Sequence, residues 1–80
     1  MTIEQAEKAA VTFLKEKREA GSVYIASVKQ VNENSWEVKG DYAIEGSSRN
    51  EAKFTITINI ITNEVTAYKF EPIGPGVVLL

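Results

Sequence analysis

The chain has 80 residues, no cysteine, no histidine and a formal net charge of −2. This allows one small domain that buries only about 60% of its unfolded surface, and it excludes a disulfide scaffold, a thiolate metal site and every Ser-His-Asp or Cys-His catalytic arrangement. The pI near 5.1 and the lack of a basic stripe point away from nucleic acid as a partner.

The first segment, Met1-Thr2-Ile3-Glu4-Gln5, is acidic early and holds no apolar run, so no signal peptide is read there. Thr2 and Gln5 have the spacing of a capping box, in which each residue satisfies the other's backbone N–H. Ile3, Ala6, Ala10, Phe13 and Leu14 then recur at helical spacing and form one apolar stripe. Lys15, Lys17 and Arg18, broken by Glu16 and followed by Glu19, read as the solvated face of that helix. Gly21 is the natural stop, because glycine enters the left-handed conformation without strain.

Beyond Gly21 the period changes from 3.6 to 2. Val23 to Val31 reads as a first strand, with Val23 and Ile25 on one face and Val28 out of phase. A bulge near Ala26-Ser27 reconciles them. Asn32-Glu33-Asn34-Ser35 is a turn cluster. In the second strand Trp36, Val38, Gly40, Tyr42 and Ile44 alternate with Glu37, Lys39, Asp41, Ala43 and Glu45. Gly46 to Asn50 is a polar loop with Arg49 at its tip. The third strand places Ala52, Phe54, Ile56, Ile58 and Ile60 on one face, and Ile61-Thr62-Asn63-Glu64 turns the chain into a fourth strand, from Val65 to Phe70, which Pro72 ends.

Pairing Ile44 with Ala52, Tyr42 with Phe54, Gly40 with Ile56, Val38 with Ile58 and Trp36 with Ile60 brings every apolar residue to one side. A one-residue slip would destroy this. The helix stripe is the available cover for that face, and Gly40 leaves room for the helix to approach. The expected fold is α+β: one N-terminal helix on a four-stranded antiparallel β-meander, in the order α-β-β-β-β, over residues 1–71. Trp36, Tyr42 and Phe54 are expected in its core rather than on a stacking platform. Glu37, Asp41 and Glu45 line the wet face, where neighbouring lysines balance them and a flat surface gives no desolvation to tune a catalytic carboxylate.

This order of elements resembles the small PepSY-like and cystatin-like domains, in which an antiparallel sheet wraps a helix. The likeness is carried by the helix opening Thr2 to Ala10, by Trp36-Glu37-Val38-Lys39-Gly40, and by Phe54-Thr55-Ile56-Thr57-Ile58 followed by Thr62-Asn63-Glu64-Val65. The last is similar to the PepSY ending usually written T-G-E-V, with Asn63 in place of the glycine. The resemblance implies a peptidase-inhibitory or regulatory role. Cystatin inhibitors carry Q-x-V-x-G in a hairpin loop; Val38 and Gly40 keep that spacing here, but Trp36 stands at the Gln position and the segment reads as a central strand.

The segment 72–80 is unusual. A Gly74-Pro75-Gly76 spacer leads into Val77-Val78-Leu79-Leu80, four consecutive aliphatics. Three placements compete: on the chain's own core, on a second subunit, or as a strand offered to a partner. The functional expectation is therefore a small non-catalytic protein-interaction module, acting through a sheet edge and this apolar tail. Val77, Val78, Leu79, Leu80 and Arg49 are its contact residues, and its partner is another protein or a second copy in a homodimer. No cofactor, metal, nucleic acid, membrane or small-molecule substrate is expected. The expected location is the cytoplasm. The absence of His, the single Met and the Lys, Glu and Ile content fit a heat-adapted source.

Overall fold

In the computed structural model, which describes residues 2–46 and 52–72, helix α1 (Ile3–Arg18) is followed by β1 (Ala20–Asn32), β2 (Ser35–Ile44), β3 (Ala52–Asn59) and β4 (Val65–Pro72). The four strands form one antiparallel sheet in chain order, β1-β2-β3-β4. This is the α+β meander expected from the hydrophobic pattern.

The helix begins where its capping box places it. Thr2 Oγ1 accepts from the Gln5 backbone N–H at 3.2 Å, and the Thr2 N–H donates to Gln5 Oε1 at 2.9 Å. Ala6, Ala10 and Leu14 are fully buried, and Phe13 is half-buried beside them. Ile3, in the first turn, is exposed. The stop differs from the expectation. The helix ends at Arg18, and Glu19, not Gly21, takes the left-handed position, with φ 56°. The cause is that Ala20 already belongs to β1, buried and opposite Ile44, so the chain must reverse within one residue. Gly21 serves close packing instead, since a Cβ there would lie 2.6 Å from the Glu45 Cα.

In β1 the register shifts between Ile25 and Ser27. This bulge brings Val23, Ile25 and Val28 to the same core-facing side, where all three pack partly buried. The β2–β3 register keeps the expected faces but is displaced by two residues: Tyr42 opposes Ala52, Gly40 opposes Phe54, Val38 opposes Ile56 and Trp36 opposes Ile58. On its other edge β2 runs on against β1 to Ile44, opposite Ala20. Ile44 is exposed, and β3 ends at Asn59, leaving Ile60 outside the strand. Gly40 also has a different reason from the one expected. Its missing Cβ makes room for the Tyr24 carbonyl of the bulged neighbouring strand, not for the helix.

The core contains Leu14, Val38, Tyr42, Phe54, Ile56 and Ile58, with the helix alanines closing over them. The helix packs on the inward face of the sheet, over a buried core supplied chiefly by β2 and β3, and its Phe13 and Arg18 reach the rings of β4.

The β3–β4 turn is held by Asn59, whose Oδ1 accepts from the backbone N–H groups of Ile61 at 2.8 Å and Thr62 at 3.0 Å. Asn63 follows in the left-handed region, φ 62°. A residue with a Cβ but no side-chain amide is strained there by about 1–2 kcal/mol. Asn63→Ala is therefore expected to lower the unfolding free energy by about 1 kcal/mol, while Asn63→Gly leaves it within about 0.5 kcal/mol of the parent. Equal urea midpoints for the two variants would show that the turn does not hold that conformation in solution.

Candidate functional site

The two faces of the sheet differ sharply in chemistry. On the open face, three cross-strand rows run Tyr24–Asp41–Lys53–Glu71, Ser27–Lys39–Thr55–Lys69 and Lys29–Glu37–Thr57–Ala67. The charges alternate and answer one another. Glu37 lies 3.9 Å from Lys29 and 3.8 Å from Lys39, and Lys69 lies 3.6 Å from Glu71. Exposed pairs of this kind contribute well under about 1 kcal/mol each, so they keep the face solvated rather than build a site. The two-residue displacement of β3 sets Asp41 opposite Lys53. Tyr24 stands 64% exposed on this face. It borders a shallow depression that also touches Lys39, Gly40, Asp41 and Lys53. Among the described residues no three His, Cys, Asp or Glu side chains converge as metal ligands.

The inward face is different at its β4 side. Tyr68 and Phe70 point toward the helix layer from the last strand, opposite Ile56 and Phe54. These rings are not fully covered: Tyr68 remains 61% exposed although it faces inward. The two rings and Phe13 form a continuous seam between helix and strand. The Phe13 and Tyr68 centroids are 5.3 Å apart, and those of Tyr68 and Phe70 are 5.2 Å apart. Phe70 in turn meets buried Tyr42 edge-on at 6.0 Å. Each contact of this geometry contributes about 0.5–1.5 kcal/mol beyond burial.

Arg18 closes one end of the seam. Its guanidinium lies 4.7 Å over the Phe70 ring, and its Nε donates to the Tyr42 hydroxyl at 2.9 Å. The concavity so formed is lined by Phe13, Lys17, Arg18, Tyr68 and Phe70. A second depression lies farther along the same side of the helix, between Ala9, Thr12 and Phe13 on α1 and Asn63 and Val65 beyond it. The two depressions share Phe13, and both are mixed in chemistry: Gln5, Lys8 and Glu16 also line the second, as Lys17 and Arg18 line the first.

Lys15, Lys17 and Arg18 are all exposed, as expected of a solvated run. Arg18 stands four residues beyond Leu14 in the row of Ala6, Ala10 and Leu14, which brings its guanidinium to Phe70 and Tyr42. Tyr68 and Phe70 were placed on one face by alternation, correctly, but alternation carries no information about what covers them. The contact residues expected from sequence, Arg49 and Val77, Val78, Leu79 and Leu80, lie outside the described residues. Of the loop that holds Arg49, only Gly46 is described, with φ 93°.

No helix among the described residues is long and apolar enough to cross a membrane. No protein-family model, no curated protein and no solved structure matches this chain.

Proposed function

We propose that this chain is a small non-catalytic protein-interaction module that accepts an extended apolar segment of a protein partner along the free side of β4. The observation that carries this reading is the uncovered aromatic seam lying directly beside an edge strand. Among the described residues β4 pairs with β3 alone, so its outer backbone N–H and C=O groups are available to an added strand. Alternate side chains of such a strand would descend onto Phe13, Tyr68 and Phe70, adding apolar burial to backbone pairing. A cytoplasmic setting belongs to the same proposal.

The test is a nuclear magnetic resonance titration of the ¹⁵N-labelled chain with a capped hexapeptide of alternating threonine and valine. Amide shifts that alternate along Val65 to Glu71, together with movement of the Tyr68 ring, are the expected result. Shifts confined to the open charged face, or none at millimolar peptide, would remove the reading.

A peptidase-regulating role of the PepSY type is the alternative. It is favoured by the helix-then-meander order and by Asn63 holding a left-handed turn where that pattern has glycine. Inhibition of a peptidase panel by the purified chain decides for it.

A further inference from the structure

We infer that the partner segment taken up along β4 is acidic at one defined position: it carries an Asp or Glu two residues before the apolar side chain that settles on Tyr68. This rests on the interaction reading above and adds to it the charge of the partner and the order of its residues.

Three observations carry it. The first is positive charge that the protein leaves unanswered at one end of the seam. On the open face Lys29, Lys39 and Lys69 lie 3.9, 3.8 and 3.6 Å from a glutamate. Among the described residues Lys17 and Arg18 have no such ion pair. Arg18 turns its Nε to the Tyr42 hydroxyl and one guanidinium face to Phe70, and its Nη groups donate to no described residue.

The second is where these cations stand. Phe13 meets Tyr68 and Arg18 meets Phe70, so α1 and β4 advance together along the seam. The helix rises about 6 Å from Phe13 to Lys17, and β4 advances about 7 Å from Tyr68 to Phe70. Lys17 and Arg18 therefore share the level of Phe70, one inward-facing row beyond Tyr68, and line the same concavity with it.

The third is that nearby carboxylates do not cancel this charge. Glu16 lines the neighbouring depression, where Lys8 answers it. Glu71 follows Phe70 but belongs to the open face, in its pair with Lys69. Charge complementarity thus singles out one level of the seam.

A strand added antiparallel to β4, as every pair in this sheet is, sets alternate side chains about 7 Å apart on the inward face. The residue beside Phe70 then comes two positions before the residue beside Tyr68. A carboxylate in the earlier position meets two cations, while a lysine there is repelled. Because the cations are exposed, the gain is modest and falls with salt.

The experiment titrates the full ¹⁵N-labelled chain with capped hexapeptides, so that no terminal charge takes part. Thr-Glu-Thr-Val-Thr-Val is expected to bind about fivefold tighter than the isosteric Thr-Gln-Thr-Val-Thr-Val, and Thr-Lys-Thr-Val-Thr-Val more weakly than either. The order-reversed Thr-Val-Thr-Val-Thr-Glu should show no gain over its Gln counterpart. High salt should shrink the Glu-over-Gln preference. Lys17→Glu should abolish it. Lys15→Glu makes the same change in net charge at a different depression, beside Glu19 and Glu45, and should keep it. Equal affinities for the Glu and Gln peptides, a preference that survives Lys17→Glu, or one lost equally in Lys15→Glu would each overturn the inference. With β4 amides still shifting, all three leave the interaction reading standing. No shift along β4 with any of these peptides, the threonine–valine parent included, would remove that reading and the inference with it.

Discussion

Gly40→Ala is expected to remove about 3 kcal/mol or more of folding free energy. A Cβ built at Gly40 runs into the Tyr24 carbonyl oxygen, with the Tyr24 carbonyl carbon at 3.0 Å and the Ile25 Cα at 3.1 Å. All three are backbone atoms, so no rotamer change relieves the clash. They belong to the stretch of β1 just ahead of the bulge at Ala26, where Ile25 opposes Gly40 and the next pairing is Ser27 with Lys39. Accommodating a methyl group means pushing β1 off β2 at the point where the bulge restores the core-facing alternation of Val23, Ile25 and Val28. Overpacking of this kind costs about 1–3 kcal/mol where side chains can yield, and more where backbone must move. A chain of this length holds on the order of 4–12 kcal/mol in total, so the variant should lose a large part of its urea midpoint. A midpoint near that of the parent would mean that the two strands are not in contact there.

Leu14→Ala is the second large effect, at about 3 kcal/mol within the range of about 2–5 kcal/mol for such truncations. The helix contributes Ala6, Ala10 and Leu14 to the fully buried set, and of these only Leu14 has a large side chain. The alanines bring the helix backbone down onto the sheet. Leu14 fills the volume among the buried residues around it, which include Val38, Tyr42 and Ile56. Neither alanine can extend into the vacated space, and Phe13 is already engaged with Tyr68. For a domain of this size the loss corresponds to a fall of about 12–24 °C in Tm. Leu14→Met, which conserves volume, should cost less than about 1.5 kcal/mol. Calorimetry on the pair separates a cavity from mere loss of an apolar group: if methionine and alanine destabilise equally, the site is not close-packed.

Much of this architecture is local and therefore readable in one dimension. The helix start is written in two side chains three residues apart, because the capping box satisfies backbone groups within its own turn. The bulge in β1 is visible as a parity conflict between Ile25 and Val28. Alternation puts Tyr68 and Phe70 on one face, and their pairing with Phe54 and Ile56 makes that face the inward one. The loop candidate Arg49 and the aliphatic run 77–80 were legible as unusual chemistry, but a residue's surroundings are not contained in its neighbours along the chain.

By itself, then, the sequence determined the number and order of elements and which side of each strand is apolar, since these depend on periodicity and short-range capping. It left three matters to the tertiary structure. A period-two pattern looks the same after a shift of two residues, so it does not distinguish the observed pairing of Tyr42 with Ala52 from one with Phe54. The role of Gly40 was decided by how closely the bulged strand approaches its neighbour. The seam of Phe13, Tyr68 and Phe70 was decided by how the helix meets β4, since a single helix does not cover the whole inward face of four strands and leaves Tyr68 61% exposed.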